Sequence, residues 1–118
     1  QDTFEYVVSQ LNRFKLAFLD LLQGAGGMPK EQWIPFDYER LRELYSGNLI
    51  LNNEYDFANA QEAVSNGAAE AVAFGRLLLA NPDLVERFRR RAPLNVPAPE
   101  TFYGGEEKGY TDYPFLAG

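Results

Sequence analysis

The sequence predicts an α/β fold in which short parallel strands alternate with amphipathic helices. Three observations predict it. Short apolar runs recur at 16–22, 49–51 and 71–74; segments with apolar residues at helical spacing lie between them; and Asp, Asn, Gly and Pro stand where one kind of segment gives way to the other. Alternation of this kind implies right-handed crossovers and a parallel sheet covered by helices.

Each element has its own signal. Asp2 with Glu5 three residues later forms a capping pair, and Phe4, Val7, Val8 and Leu11 share one face, so residues 3–14 read as an amphipathic helix. The run 16–22 is short and mostly apolar, the pattern of a strand buried on both faces, although its composition also fits a buried helix. Gly24, Ala25, Gly26 and Gly27 end either element and read as a flexible hinge. That stretch lacks the Lys-Ser/Thr of a P-loop and the spacing of a dinucleotide fingerprint. Pro29 and Pro35 keep the next loop irregular as far as Phe36, and loops of that length are usually functional or mobile.

Asp37 caps a helix with Tyr38, Leu41, Leu44 and Tyr45 on one side, stopped at Ser46-Gly47. The strand Leu49-Ile50-Leu51 follows. Asp56 opens a further helix with Phe57, Ala60 and Val64 facing inward and Gly67 closing it. After the strand 71–74, Asn81-Pro82-Asp83 supplies a capping side chain, a Pro at the first helical position and an acid near the positive end of the dipole. Leu84, Val85 and Phe88 give this helix a buried stripe. Arg87, Arg89, Arg90 and Arg91 complement its negative end, so the basic run is helix chemistry before it is a binding patch.

Three strands alone leave sheet edges unpaired and one face uncovered. That fits the last three βα units of an eight-stranded (β/α)8 barrel, plus a C-terminal tail, better than a finished domain. The chain also opens on Gln1, with no strand before its first helix. The expectation is one barrel domain, of which residues 1–118 are the C-terminal part, incomplete without its N-terminal part.

Composition narrows the chemistry. The net charge of −6 is spread along the chain, which disfavours a nucleic-acid or anionic-membrane surface. With no Cys and no His, thiol nucleophiles, disulfides, zinc sites of the usual kind and His-based acid–base work are excluded within this chain, and no metal site is expected. No apolar run approaches the ~20 residues that span a bilayer, and a cytoplasmic location is the default. Asp20 lacks a carboxylate partner at an interpretable spacing and reads as a structural or loop-capping residue.

The segment Ala73-Phe74-Gly75-Arg76 followed by Asn81-Pro82-Asp83-Leu84-Val85 resembles the final strand and phosphate loop of the Old Yellow Enzyme family. Pro93-Leu94-Asn95, Thr101-Phe102-Tyr103-Gly104-Gly105 and Gly109-Tyr110-Thr111-Asp112-Tyr113-Pro114 resemble, in order and spacing, the closing signature of its bacterial branch. The motifs cover 71–114, and the strand–helix rhythm extends the resemblance to essentially the whole chain. The chain looks like the C-terminal third of such a protein, with Gln1 just after the fifth barrel strand.

The resemblance implies a TIM-barrel enzyme that is FMN-dependent, oxidises NADPH or NADH and reduces the activated C=C bond of α,β-unsaturated carbonyl compounds. It implies FMN phosphate loops at about 52–55 and 73–77 and a closing tail at 92–118. It also implies a companion polypeptide carrying the first five strands, where the family keeps its polarising His/His or His/Asn pair and its proton-donating Tyr. No catalytic residue is expected on this chain. Gly75 and Arg76 have chemistry suited to the phosphate: backbone amides without side-chain obstruction and a planar cation able to make two hydrogen bonds at once. The plain alternative is a surface Arg after a turn Gly. Ala73 enters through the resemblance, as do Asn52 and Asn53, which otherwise read as a polar cap at a strand end.

Many relatives carry Gly at the position of Asn53, and Asn tolerates left-handed angles, so the loop keeps its shape. Glu54 must then point away from the phosphate. The resemblance puts Phe102 beside the flavin and Tyr103 and Trp33 at the substrate pocket; the alternatives are pinning of the tail and simple loop packing. Tyr110, Tyr113 and Pro114 are expected to anchor the tail through buried rings. Two other readings remain open: a non-catalytic barrel fragment that self-associates through its sheet edges, and a barrel that binds another phosphate-bearing ligand.

Overall fold

The computed structural model describes residues 1–24 and 28–118, which fall into two compact units, Gln1–Ala73 and Phe74–Gly118. Of the hinge expected at 24–27, all but Gly24 lies outside the described residues.

In the first unit the order is helix α1 (Asp2–Leu11), strand β1 (Leu19–Leu22), α2 (Tyr38–Leu44), β2 (Leu49–Asn52), α3 (Phe57–Ser65) and β3 (Ala71–Ala73). The strands form one parallel sheet in the order β1-β2-β3, with Leu22 opposite Asn52 and Asn52 opposite Ala73. Parallel order with a helix in each crossover is what the sequence predicts.

The side chains of this sheet alternate, as they must along any strand. Leu49 and Leu51 are buried, and with Leu19, Leu21 and Val72 they meet Val8, Leu41, Tyr45, Ala63 and Ala69 in a single core on the helix side. Asp20, Leu22 and Ala71 are exposed, while Ile50, Asn52 and Ala73 are half-buried. The expectation of β1 buried on both faces is therefore corrected: only Leu19 and Leu21 pack, because helices cover one face only. The strand is also shorter than 16–22, and Leu16 and Phe18 are exposed.

The helix ends follow their caps. Asp37 accepts the Arg40 N–H at 2.8 Å, and Asp56 and Asn59 exchange a reciprocal capping box at 2.9 and 2.7 Å. Gly67, at φ 80°, closes the turn after α3 in the left-handed region. Three expectations change. The N-cap of α1 is Gln1, whose amide donates to Glu5 at 2.7 Å, so Asp2 lies inside the first turn, and the helix stops at Leu11 rather than 14. On that helix Val8 is buried and Leu11 packs on the core, while Phe4 and Val7 are exposed. On α3 the inward residues are Ala60 and Ala63 rather than Phe57 and Val64.

The second unit contains α4 (Arg76–Ala80), α5 (Leu84–Arg90) and the tail. The short helix α4 carries no periodicity that marks it in the sequence. Its presence changes the role of Asn81, which is the C-cap of α4 rather than the start of α5. Asn81 is fully buried, donates from Nδ2 to Leu77 O and Asn95 O at 2.9 and 3.2 Å, and accepts the Asn95 N–H at 2.7 Å. Asp83 is the N-cap of α5 but makes no capping bond; its carboxylate faces Arg87 and the Leu116 N–H instead. The stripe is likewise corrected: Leu84 is buried and Phe88 half-buried against Phe74, but Val85 is 68% exposed and Arg87 is 4% exposed. Arg87 is thus an interior residue. Arg89 and Arg90 pair with Glu86 on the surface.

Candidate functional site

In the first unit the expected site residues lie where the parallel strands end. Asn52 is the last residue of β2 and Ala73 the last of β3, directly opposite each other. Asn52 Nδ2 donates to Asp20 Oδ1 at 3.4 Å across the uncovered face, giving Asp20 a weak cross-strand partner where the sequence offered none. Asn53 and Glu54 adopt φ 91° and 56°. Two successive left-handed residues without a glycine are unusual, and Asn is among the side chains that accept that region most readily. Asn53 is held there by its own amide, which donates to Gln23 O at 2.8 Å.

Gln23, which the sequence reading passed over, ties this corner together. Its N–H donates to Asn52 O at 3.1 Å, and its Oε1 accepts the Tyr55 hydroxyl at 2.6 Å. Burial of the Tyr55 phenol, which outweighs the opposing bond to Gln23, raises its pKa above the ordinary tyrosine value. The only advance sign of Gln23 is its place one residue beyond an apolar strand.

Trp33 belongs to the same corner. Its Nε1 donates to Met28 O at 3.0 Å, and its ring lies so close to Gly24 that a Cβ there would sit 2.2 Å from the indole. Gly24, at φ 66°, donates its N–H to the Tyr38 hydroxyl at 2.6 Å. The Lys30 ammonium stands 5.9 Å from the Trp33 ring centre and 5.8 Å from that of Tyr55, within cation–π reach of both. A cleft of about 760 Å³ opens on the helix side of the sheet, with Tyr38, Arg42, Tyr55 and Glu62 among its walls. Asn52, Asn53, Ala73 and Trp33 do not line it.

In the second unit Gly75 is the N-cap of α4, with no side chain capping it, and Arg76 is the first helical residue and exposed. First-turn amides of any helix lack partners within the helix. Gly75 has φ −92°, and a Cβ built on it meets no atom of the described residues within 4 Å. Neither a left-handed backbone nor internal packing therefore calls for glycine here. No side chain caps the first turn of α4, and Arg76 begins it.

Phe102 and Tyr103 contact each other edge to face at 6.5 Å, and Tyr103 is 96% exposed. The tail around them is held by polar contacts rather than by the buried rings expected. Tyr113 accepts the Ala98 N–H at 2.9 Å, and the half-exposed Tyr110 donates its hydroxyl to Phe102 O. Pro114 O accepts from Arg87 and Asn95. Among the described residues no group of three or more acidic side chains is arranged to hold a metal, and no helix is long and apolar enough to cross a membrane.

Comparison with known proteins gives this geometry its context. Residues 8–95 match the family described as NADH:flavin oxidoreductase / NADH oxidase. A probable flavin mononucleotide-dependent alkene reductase of Leishmania infantum is 45% identical over 114 residues, which is 94% of this chain and 29% of that protein. A putative 12-oxophytodienoate reductase of Oryza sativa subsp. japonica is 51% identical over 76 residues, 64% of this chain and 24% of that one. Among solved structures, morphinone reductase superposes with a TM-score of 0.86 at 43% identity, over 98% of this chain and 31% of its own. The old yellow enzyme from Trypanosoma cruzi superposes with a TM-score of 0.89 at 38% identity, over 98% and 30%. The chain spans 24–31% of the length of these relatives, and the matches do not single out a bacterial branch.

Proposed function

The chain belongs to the NADH:flavin oxidoreductase / NADH oxidase family, and from that premise we propose that it supplies the FMN phosphate site and part of the substrate pocket of a flavin-dependent alkene reductase. In this reading the three parallel strands are the last three βα units of a TIM barrel. The other five come from a companion segment of polypeptide that also carries the acid–base residues, and the protein is cytoplasmic. Ligands of such barrels gather at the C-terminal ends of the strands. Asn52 and Ala73 end their strands, Asn53 follows β2, and Gly75 and Arg76 come one residue after β3 in sequence.

The single observation that carries the reading is Gly75. Neither a left-handed φ nor packing against the described residues calls for its glycine, whereas a phosphate approaching the amides of Gly75, Arg76 and Leu77 closely would. Arg76 adds a bidentate cation, and the left-handed pair Asn53 and Glu54 turns the backbone at the end of β2. Phe102 stands at the flavin, and Tyr103 and Trp33 offer aromatic surface to the substrate.

FMN, when bound, supplies the hydride chemistry, with NADPH or NADH as reductant and an α,β-unsaturated carbonyl compound as acceptor. The chain's own residues bind and orient, and none of them transfers a proton. The test is direct. The complete protein is purified, its yellow colour and FMN content are measured, and it is mixed anaerobically with NADPH or NADH and then with a cyclic enone. Bleaching followed by recovery of the flavin absorbance supports the reading; a colourless protein that takes up no FMN defeats it.

A further inference from the structure

The tail leaves α5 and returns to it. At its start, Arg87 Nη1 donates to Pro93 O at 2.6 Å; at its return, Arg87 Nη2 donates to Pro114 O at 2.8 Å. Asn95 repeats the arrangement, with Nδ2 donating to Ala80 O at 2.8 Å and to Pro114 O at 2.9 Å, while its N–H is held by Asn81. Asp83 closes the pattern, taking Arg87 Nε at 2.7 Å on one oxygen and the Leu116 N–H at 2.6 Å on the other. Two chain segments about 20 residues apart are thereby fixed to one buried cation. Arg87 and Asn81 are buried, so their donors are cut off from water and are satisfied by these partners, while the Pro93 and Pro114 residues that accept from Arg87 lie at the surface.

Between the pinned ends the loop is stitched to itself. Tyr113 accepts the Ala98 N–H, Thr101 Oγ1 donates to Ala98 O at 2.9 Å, and Tyr110 holds Phe102 O. Gly109, at φ 81°, lies where a Cβ would come within 2.0 Å of Thr101 Oγ1, so only glycine permits this crossing. The loop has almost no apolar core: Val96, Tyr110 and Phe115 are exposed and Thr101 is its buried centre. It presents Phe102 and Tyr103. We propose that Arg87, with Asn95, is a positioning residue that sets where Tyr103 stands toward the substrate, acting through the loop 98–113 and touching neither ligand. This rests on the substrate role given to Tyr103 above.

A guanidinium is a planar fork that reaches two carbonyls and a carboxylate at once, which an ammonium cannot reproduce. Arg87→Lys keeps the charge and the Asp83 partner but releases one end of the loop. Tyr113→Phe removes the stitch at Ala98 without touching α5. Each variant is made in the complete flavoprotein, and three quantities are read: FMN dissociation constant, KM and kcat for a cyclic enone, and amide hydrogen exchange.

Loss of one such hydrogen bond predicts ~10-fold faster exchange confined to 98–113, with KM raised several-fold, kcat changed less and FMN affinity unchanged. Unchanged exchange and KM in both variants overturn the proposal. Faster loop exchange with unchanged KM also overturns it, since the loop is then held but does not position the substrate. Faster exchange throughout with loss of FMN shows a merely structural residue and counts against it equally. If the unsubstituted protein binds FMN but reduces no enone while the loop still loosens in the variants, the proposed function fails and the positioning role falls with it; if it reduces the enone and KM does not move, only the positioning role falls.

Discussion

Replacing Asn53 separates two contributions that the structure places on one residue. Its amide donates to Gln23 O at 2.8 Å, a half-buried bond of about 1 kcal/mol net. Its backbone, at φ 91°, lies where an ordinary L side chain costs about 1–2 kcal/mol relative to Gly, with Asn paying less than most. Asn53→Ala loses the bond and gains the conformational penalty, so it is expected to destabilise by roughly 2 kcal/mol. Asn53→Gly loses the same bond but relieves the backbone, leaving it within about 1 kcal/mol of the parent. Urea unfolding of the flavin-free complete protein reads both, with the m-value as a check that the denatured state is unchanged. If Asn53→Ala is as stable as Asn53→Gly, the left-handed requirement at the end of β2 is wrong.

Four further outcomes follow from the same geometry. Gly75→Ala is expected to leave the stability of the flavin-free protein within ~0.5 kcal/mol while weakening FMN, since a Cβ there meets no atom of the described residues within 4 Å; a large loss of stability would show that packing requires the glycine. Leu41→Ala, at a side chain 1% exposed in the core, is expected to cost ~2–5 kcal/mol in the same unfolding assay. Asn81→Ala strands Leu77 O and both backbone groups of Asn95 and is expected to cost ~2–4 kcal/mol, and a neutral result would contradict its role as the joint between α4 and the tail. Glu70 accepts the Leu49 N–H at 2.6 Å, which, with Arg42 nearby, holds its carboxyl below the ordinary value. Its stabilisation is therefore complete above that ordinary value and is lost as pH falls through the lowered one, so Glu70→Gln should flatten the acid limb of the stability–pH curve.

The sequence carried the alternation of strands and helices because caps and short apolar runs are local signals. Asp37, Asp56 and Gly67 act within a few residues of themselves, and each stands where it was expected. What was not legible depends on distant partners. The run 16–22 shows its apolar side chains but not that helices cover only one face, so Leu22 reads like Leu21 although one is exposed and the other packs. Arg87 sits in a basic run, and although Asp83 four residues before it is a local partner, its other acceptors, Pro93 and Pro114, lie in the tail and are not legible from the run itself. Asn81 has every mark of an N-cap, but α4 ends on it, and that short helix has no periodicity strong enough to announce itself. Of the candidate site, Gly75, Arg76 and Asn53 are expected through the family resemblance, whereas the pairing of Gln23 with Tyr55 is not legible, because it spans 32 residues.

The account turns on Arg76 and Gly75 gripping a phosphate. FMN binding to the complete protein, followed by quenching of flavin fluorescence, is measured for the parent and for Arg76→Ala. Loss of a charge-assisted pair of hydrogen bonds predicts a dissociation constant raised ~10- to 100-fold. An FMN affinity equal to the parent's would contradict the assignment.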